Sequence, residues 1–436
     1  MEYKLSKYLY IVPRGDIVIV SSLLKNVIFA ITDVKYSLLK TSKLSELKNG
    51  QPIFFKTMEK LGVIIPEDFN EMDQIKMLNK QAVFSNDEYR LTINPTLECN
   101  FHCWYCYEEH PKGYMQSETI DAIVNHIKLK IEDKSLRHLL LDWFGGEPFM
   151  YFDEVVYPLA KRIKEMLDEK GITMNGVATT NGYFINRERI EKLKEIGLNN
   201  FQITLDGNQE MHDKIRFGKN KEGSFQTIMD NINLLVEELD ATVSVRINYT
   251  KKTLENINEI IDKFSNKTKS KIIVLFQQVW QDSLKENVSA EENKKEFEKR
   301  GIKVKPYTLN TNFHVCYADK EQQLIINHDG KVFKCTARDF NDDYALGELL
   351  PTGEIQWKIP DISKRFGKYT FENEFCLACN LLPACMGPCS QKAVELPEKF
   401  DAKFFRIRCL QDGVRKIIEQ NIEEHYNSII NSNQHV

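Results

Sequence analysis

The sequence lacks the features of several common classes of protein. No stretch of its 436 residues approaches eighteen consecutive apolar residues, so no transmembrane helix is predicted. The net charge of −4 provides no basic field for nucleic acid. The first residues have no apolar core of the kind that a secretory signal carries. We therefore expect a cytoplasmic protein that has neither a nucleic acid nor a membrane as its partner.

Residues 1–85 contain no Cys and no His. Apolar alternation over 8–12 and 16–20, on either side of the turn-forming residues 13–16, predicts a β-hairpin. A third strand over 27–31 is predicted to lead into a helix that begins at Asp33, and 54–61 is amphipathic. A small module of this kind is either a docking element or scaffold, and the pattern alone leaves both interpretations open.

The chain is rich in cysteine, and three of its ten cysteines fall within eight residues: Cys99, Cys103 and Cys106. In a chain that is not secreted, so many cysteines favour metal or cluster ligation over disulfides. Three thiolates can hold three irons of a cubane cluster, which usually takes four cysteines, and leave the fourth iron open. Zinc binding, with His102 as a fourth ligand, and simple burial of apolar thiols are the alternatives.

The spacing C-x3-C-x2-C, with the aromatic Tyr105 before the third cysteine, resembles the signature of the radical S-adenosylmethionine (SAM) enzymes. The resemblance implies that Cys99, Cys103 and Cys106 hold a [4Fe–4S] cluster whose open iron is chelated by SAM. One electron then splits SAM into methionine and a 5′-deoxyadenosyl radical. It also implies that Tyr105 packs near the adenine, although the ring could equally be part of the core.

After residue 90 the pattern alternates between strands and helices. Strands are predicted over 90–94, 139–144, 176–180, 201–205, 243–249 and 272–278. Helices with a period of 3.6 residues are predicted around 120–127, 156–167 and 228–235. A helix after each strand indicates a parallel sheet, here an α/β partial (β/α)6 barrel. The three cysteines follow the first strand, at the end of the barrel where catalytic loops lie.

Polar residues at the ends of the later strands also resemble the family's pattern. Gly145-Gly146-Glu147-Pro148 follows the second strand, where the family binds the amine of SAM. The other stretches that carry the resemblance are Asn181-Gly182, Thr204-Leu205-Asp206-Gly207, His212-Asp213 with Arg216, and Arg246 with Asn248. The resemblance implies that Thr204 and Arg246 face the SAM carboxylate and that Asn181 or Asn248 faces the ribose. Turn formation or capping at strand ends is the alternative for each.

The remaining cysteines lie after residue 300, in the pattern C-x13-G-x4-C, C-x2-C-x5-C-x3-C and C. They are Cys316, Cys335, Cys376, Cys379, Cys385, Cys389 and Cys409. Such density indicates metal, and on this segment alone a zinc ribbon with C-x2-C knuckles stays possible. Gly330 lies in a predicted hairpin turn before Cys335.

This arrangement resembles the SPASM domain of radical SAM peptide and protein modifiers, which carries two auxiliary [4Fe–4S] clusters. The resemblance assigns Cys376, Cys379, Cys385 and Cys409 to the outer cluster. It assigns Cys316, Cys335 and Cys389 to the inner cluster. Three clusters, with SAM on the first, would require eleven cysteines, but the chain has ten. Glu321, Gln322 and Gln323 occupy the region where relatives with a complete inner cluster carry another cysteine. An open iron or a non-cysteine ligand is therefore expected.

The predicted domains are a winged-helix-like, leader-peptide-recognition module (1–85), a barrel (86–300), a SPASM domain (301–410) and a helical tail (411–436). We predict a radical SAM maturase that installs a thioether or carbon–carbon crosslink in a ribosomally synthesised precursor peptide and receives electrons from a flavodoxin or ferredoxin. Sulfatase maturation is the alternative within the family. It is disfavoured because Thr336, with Asp339 further on, replaces the aspartate that those enzymes carry after the second SPASM cysteine. A zinc-binding module without catalysis is the alternative from another class, and a partner subunit without activity is a third.

Overall fold

The computed structural model describes residues 2–86, 88–133, 136–218, 220–283, 288–305, 315–366, 370–387, 389–395 and 411–433. Within these ranges, no helix is both long enough and apolar enough to cross a membrane. The described chain divides into two compact units. One contains residues 1–85, 307–321 and 360–436, and the other contains 86–306 and 322–359. We call them the discontinuous unit and the barrel unit.

The strands, numbered along the chain, are β1 (Tyr3–Leu5), β2 (Leu9–Arg14), β3 (Ile17–Ser22), β4 (Val27–Thr32), β5 (Ile64–Pro66), β6 (Glu88–Ile93), β7 (His138–Trp143), β8 (Thr173–Thr180), β9 (Leu198–Leu205), β10 (Thr242–Tyr249), β11 (Ile273–Gln278), β12 (Lys303–Val304), β13 (Gln323–Ile326), β14 (Lys331–Phe333), β15 (Gly347–Leu349) and β16 (Ile355–Trp357).

The α-helices are α1 (Asp33–Thr41), α2 (Leu44–Gly50), α3 (Pro52–Lys60), α4 (Glu71–Val83), α5 (Ser117–Glu132), α6 (Tyr157–Asp168), α7 (Arg187–Glu195), α8 (Gln209–Ile215), α9 (Phe225–Glu238), α10 (Asn266–Lys271), α11 (Trp280–Ser283), α12 (Glu291–Lys299), α13 (Ile359–Phe366), α14 (Glu374–Ala378), α15 (Leu382–Cys385), α16 (Ser390–Val394) and α17 (Gln411–Asn433). Short 3-10 helices cover Pro148–Tyr151, Ile257–Lys263 and Tyr317–Asp319, and a π-helix covers Phe152–Val156.

The barrel unit is built on one sheet with the strand order β12-β11-β10-β9-β8-β7-β6-β13-β14-β15-β16. The six predicted strands β6 to β11 are neighbours, pair in parallel and are followed by helices, so the predicted α/β partial barrel is confirmed. Two parallel strands that the sequence analysis did not predict extend it: β12 pairs with β11, and β13 pairs with β6. From β13 to β16 the pairing is antiparallel, which makes the sheet mixed.

The period of 3.6 residues in α6 explains how the helices cover the sheet. Leu159, Ile163 and Leu167 lie on one face of α6, and all three are fully buried in the core of the barrel unit. Strand residues such as Leu139 and Leu141 fill the other side of that core. Because helices occupy the face, the loops at the carboxyl ends of the strands are left to form a site.

The discontinuous unit begins with the predicted hairpin. Strands β2, β3 and β4 form an antiparallel sheet, and Gly15 has φ +59° in the β2–β3 turn, a conformation that glycine adopts readily. Helix α1 covers Asp33–Thr41, and its N-cap is Thr32 rather than Asp33: the Thr32 side chain accepts a hydrogen bond from the backbone N–H of Lys35. Helix α2 and the β1–β5 pair were not predicted.

A second hydrophobic cluster in the discontinuous unit joins segments from the two ends of the chain. It contains Tyr8, Leu23, Leu24 and Ile75 from the first 85 residues, Leu381 and Met386 from the cysteine-rich segment, and Ile418 and Ile422 from α17. Polar contacts follow the same path, since the Tyr10 hydroxyl donates to Glu419 (2.6 Å) and Arg14 pairs with Glu423. The two ends of the chain thus share one core.

Candidate active site

A cavity of about 260 Å³ lies at the carboxyl ends of β6 to β11. Cys99, Cys103 and Cys106 all line it. Seven of the residues predicted to contact SAM line it as well: Tyr105, Gly145, Gly146, Asn181, Thr204, Arg246 and Asn248. The parallel sheet explains this convergence, because every strand ends at the same edge.

None of these three described cysteines takes part in a disulfide. Burial raises the pKa of the Cys99 thiol to about 12, and the Glu147 carboxylate adds to the shift. Burial also raises the pKa of Cys103 and Cys106. Without a bound cation these thiols stay protonated, and the positive irons of a cluster would favour the thiolates instead.

The three cysteines that line the cavity match the protein ligands of a cubane cluster with one open iron. The thiol of Cys99 lies 3.5 Å from the backbone nitrogen of Phe101, which donates to it as peptide N–H groups do to cluster sulfur. Cluster binding by these cysteines stays a prediction.

The two glycines of Gly145-Gly146-Glu147-Pro148 allow a close approach between two loops. A Cβ at Gly146 would overlap the carbonyl oxygens of Leu97 and Glu98, immediately before Cys99. Gly145 has φ +97°, and a Cβ there would press on the carbonyl oxygen of Thr96. These positions bring the loop after β7 against the three-cysteine loop.

Glu147 is fully buried and does not line the cavity. Its Oε1 accepts hydrogen bonds from the Thr180 hydroxyl (2.7 Å) and from the backbone N–H of Phe149 (3.0 Å), and its Oε2 accepts from the backbone N–H of Asn181 (2.6 Å). The carboxylate therefore ties the end of β7 to the end of β8. Burial raises the pKa of Glu147 against these hydrogen bonds. Pro148, also buried, begins the next helical turn.

Asn181 and Arg246, two of the residues predicted to contact SAM, line the cavity and make hydrogen bonds to other residues. The Asn181 side chain donates to Asn100 (2.7 Å) and stands 4.0 Å from the thiol of Cys99. The Nε of Arg246 donates to Asn248 (2.8 Å), and burial lowers the pKa of Arg246. A desolvated guanidinium of this kind favours an anionic ligand.

The sequence analysis gave no role to several cavity residues. Arg216 lines the cavity and forms a buried ion pair with Asp206, and the two contact the hydroxyl of Tyr105. Both residues stood in the quoted motifs, so their side-chain types were a usable signal. Gln281 donates to the backbone oxygen of Tyr105 (2.8 Å), but nothing in its sequence context marked it. Gln202 and Gln277 add further amides to the wall.

Six of the seven cysteines after residue 300, which are predicted to hold the auxiliary clusters, lie in the described residues. Cys376, Cys379 and Cys385 lie in or directly after α14 and α15, and all three pack against the second hydrophobic cluster of the discontinuous unit. Cys409 lies outside the described residues. Cys316 is partly buried and Cys389 is exposed, both in the discontinuous unit. Cys335 is partly buried and follows β14 in the barrel unit. Their assignment to two clusters stays a prediction.

A buried guanidinium connects the segments that follow Cys316 and Cys389. Arg365 lies 3.7 Å from the Asp319 carboxylate and donates to the Ser390 hydroxyl (3.1 Å), which itself bonds to Asp319. The side chain of Arg365 is fully buried. Arg365 therefore connects the segment after Cys316 with the segment after Cys389, and both cysteines are predicted ligands of the inner cluster.

Comparison with known proteins places this geometry in a family context. Residues 93–264 match the model of the radical SAM superfamily, so the chain carries a radical SAM domain, as its cysteine motif predicted. The Fe-coproporphyrin III synthase of Methanosarcina barkeri is 30% identical over 192 residues, which cover 44% of each chain. The cysteine-type anaerobic sulfatase-maturating enzyme of Clostridium novyi is 24% identical over 368 residues, or 75% of this chain and 93% of the relative.

The fold comparison agrees with the family model. A solved structure, native anSMEcpe with bound AdoMet and Cp18Cys peptide, matches with a TM-score of 0.55 and 16% identity. The match covers 78% of this chain and 99% of that chain. The chain matches less than two thirds of the length of the first three curated relatives.

Proposed function

We propose that this protein is a radical SAM enzyme that modifies a ribosomally synthesised precursor peptide, installing a thioether or carbon–carbon crosslink or a similar change. When bound, the cluster and SAM would supply a 5′-deoxyadenosyl radical that abstracts hydrogen from the peptide. The observation that carries the proposal is the convergence of three thiols and the partly buried guanidinium of Arg246 in one cavity at the ends of parallel strands.

The chain's own residues would have separate tasks in this chemistry. Cys99, Cys103 and Cys106 would hold the cluster, and Arg246 with Thr204 would bind the carboxylate of SAM. Asn181 or Asn248 would contact the ribose. The wall of the cavity, which includes Phe101, Phe144 and Val279, would exclude water while a radical exists.

Auxiliary clusters are the second part of the proposal. Cys376, Cys379, Cys385 and Cys409 would hold the outer cluster, and Cys316, Cys335 and Cys389 the inner one. They would accept the electron that is released when the product radical is oxidised, or bind the substrate directly. A flavodoxin or ferredoxin would supply the first electron, and the proposed compartment is the cytoplasm, where cysteines that ligate metal are kept reduced.

The N-terminal module is proposed to bind the leader of the peptide. Within the described residues, β4 pairs with β3 alone, so its other edge is available to an extended peptide. Ile28, Phe29 and Ile31 on β4 are partly exposed. The Cp18Cys peptide bound in the solved structure of anSMEcpe supports a peptide substrate for this chain.

Two other functions lead to different measurements. The length of the match to the Clostridium novyi enzyme favours maturation of a sulfatase. Thr336 disfavours it, because sulfatase-maturating enzymes carry an aspartate at this position after the second SPASM cysteine. In the structure, Asp339 instead accepts a hydrogen bond from the backbone of Glu109 (3.1 Å). A zinc-binding module without catalysis would have no use for SAM.

The test is anaerobic purification, reconstitution with iron and sulfide, and assay of metal content and SAM cleavage. We expect about twelve irons per chain, which is three cubanes, and 5′-deoxyadenosine on reduction. A peptide encoded beside the gene should then lose hydrogen and gain a crosslink by mass spectrometry. Zinc without iron would contradict the enzyme, and conversion of a sulfatase peptide to formylglycine would favour the alternative within the family.

A further inference from the structure

The hydroxyl of Tyr105 is the centre of a hydrogen-bond network inside the cavity. It donates to the Asp206 carboxylate, whose oxygens lie 2.6 and 2.8 Å away. It accepts from Nη2 of Arg216 (2.8 Å) and from Nδ2 of Asn248 (3.1 Å). A phenol can donate one hydrogen bond and accept two, so the capacity of this hydroxyl is fully used.

The partners of Tyr105 are rigid because they are buried and paired. Asp206 is 1% exposed and Arg216 is 8% exposed, and the two form an ion pair. Removing one member of a buried pair leaves an uncompensated charge, so neither side chain moves freely toward water.

The network continues from Tyr105 to the residue that is proposed to bind the SAM carboxylate. Asn248 donates to Tyr105 through Nδ2 and accepts from Nε of Arg246 (2.8 Å) through Oδ1. An asparagine amide held at both ends has only one orientation that satisfies both bonds. A continuous path thus runs from the loop between Cys103 and Cys106 to the guanidinium of Arg246.

We propose that Tyr105 is a positioning residue for SAM: its hydroxyl orients Asn248, and through Asn248 it fixes the guanidinium of Arg246 relative to the three-cysteine loop. The inference rests on the proposed function for the presence of SAM in this cavity. It departs from the expectation that Tyr105 acts by packing against the adenine, because the hydroxyl rather than the ring face makes the contacts that define its place. The Asp206–Arg216 pair serves as its fixed support.

The test is a double-mutant cycle on the reconstituted protein. Tyr105→Phe keeps the ring and removes the hydroxyl, and Asn248→Ala removes the intermediate amide. The matched control is Tyr249→Phe on β10, whose hydroxyl donates to the backbone oxygen of Val288 (3.2 Å) and which does not line the cavity. SAM affinity is measured by anaerobic equilibrium binding, and the reduced cluster is followed by electron paramagnetic resonance with and without SAM.

We expect Tyr105→Phe to weaken SAM binding about 3- to 10-fold, the effect of one neutral hydrogen bond, at unchanged iron content. In the Asn248→Ala background the same change should have less than a twofold effect, because the intermediate is gone. The spectral shift caused by SAM should be smaller in Tyr105→Phe, and Tyr249→Phe should behave as wild type.

Two results would overturn the inference in distinguishable ways. If the wild type binds SAM and Tyr105→Phe binds it equally well, or weakens binding by the same factor with and without Asn248, the positioning role is wrong and the proposed function stands. If the wild type carries a cluster but SAM neither binds nor shifts its spectrum, the proposed function fails and this inference fails with it.

Discussion

His126 shows how a single buried side chain can make the stability of the barrel unit depend on pH. Its ring lies on α5, with Nε2 2.6 Å from the Tyr89 hydroxyl and Nδ1 2.7 Å from the backbone oxygen of Gly353. Since the carbonyl can only accept, Nδ1 carries the proton and Nε2 accepts from Tyr89. Burial lowers the pKa of His126 to about 4.

The pH dependence has a definite sign. A lowered pKa means that the unfolded chain binds this proton first, so stability is complete above pH 6.5 and falls as the pH drops toward 4. We expect a loss of up to about 1.4 kcal/mol per pH unit over this window. His126→Gln should be less stable at pH 7.5 by about 1 kcal/mol and have a shallower slope.

The measurement for His126 is urea unfolding at pH 7.5, 6.5 and 5.5, followed by tryptophan fluorescence. All four tryptophans belong to the barrel unit, so the signal reports on that unit: Trp104, Trp143, Trp280 and Trp357. His138→Gln, a change at the protein surface, is the control. A slope in His126→Gln equal to that of the wild type would show that another group causes the dependence.

Gln323 has a buried side-chain amide whose hydrogen-bonding groups are unsatisfied in the described part of the chain. It is 0% exposed on β13, and neither its Nε2 nor its Oε1 has a hydrogen-bond partner in the described part of the chain. A buried amide without a partner costs about 1–3 kcal/mol. Gln323→Leu should therefore raise the stability of the metal-free protein by about 1 kcal/mol in thermal unfolding.

The neighbouring Gln322 provides the control for this change. Its Oε1 accepts from the Lys130 ammonium (3.1 Å), so Gln322→Leu should leave stability unchanged or lower it slightly. If Gln323→Leu lowers the stability of the metal-free protein, the amide is hydrogen-bonded to ordered water and the prediction is wrong.

At the scale of elements, the contact between the loops after β6 and β7 depends on Gly146. Gly146→Ala would force a Cβ against two backbone oxygens that cannot move independently of Cys99. We expect a loss of roughly 3 kcal/mol in unfolding and a loss of iron from the proposed cluster. Gly50→Ala is the matched control, because a Cβ at the end of α2 meets no atom within 4 Å. Wild-type iron content in Gly146→Ala would contradict this account.

The elements also show what the sequence could predict. Strands β6 to β11 and their helices were predictable because each has its own hydrophobic period, and because strands that are consecutive in the sequence are neighbours in the sheet. The same order explains the cavity, because the carboxyl ends of the parallel strands meet at one edge of the sheet. The residues brought together there include the three cysteines of the first motif, Asn181, Thr204, Arg246 and Asn248. The role of Glu147 as a buried connection between β7 and β8 was not predictable, because two of its three donors, Thr180 and Asn181, lie at the end of the next strand and are distant in sequence.

The predicted hairpin turn at Gly330 joins β13 to β14, but the pairing of β13 with β6 was missed for a related reason. Strand β13 follows residue 300, is only four residues long and carries no helix of its own, yet it pairs in parallel with β6 along Gln323 to Ile326. A short apolar run of this kind has no period that reveals its partner. The benefit is visible only in the fold, where β13 covers the edge that β6 would otherwise expose.

At the scale of the whole molecule, the discontinuous unit joins residues that the sequence separates by several hundred positions. The Lys7 ammonium donates to the backbone oxygen of Leu377 (2.6 Å), and Asn380 donates to that of Leu9 (3.4 Å). Contacts at this separation leave no local signal, so the sequence predicted the N-terminal module and the cysteine-rich segment as separate domains. How the predicted domain bounds divide the function stays a prediction.

This shared core makes the N-terminal sheet dependent on the predicted outer cluster. Cys376, Cys379 and Cys385 pack on the same hydrophobic cluster as Tyr8 and Leu23. Ligation of a metal group would stabilise the short helices α14 and α15, which are too short to be stable alone. Loss of that group should therefore loosen β2 and β3 even though neither strand contains a cysteine.

The measurement is hydrogen exchange with mass spectrometry on the reconstituted protein. Cys379→Ser combined with Cys385→Ser should speed amide exchange in β2 and β3 by at least tenfold, which corresponds to about 1.4 kcal/mol of local stability. Cys103→Ser, which changes only the barrel unit, is the control and should leave these strands protected. Equal protection of β2 and β3 in all three proteins would mean that apolar packing alone holds the N-terminal module, and that leader binding and auxiliary clusters can be lost independently.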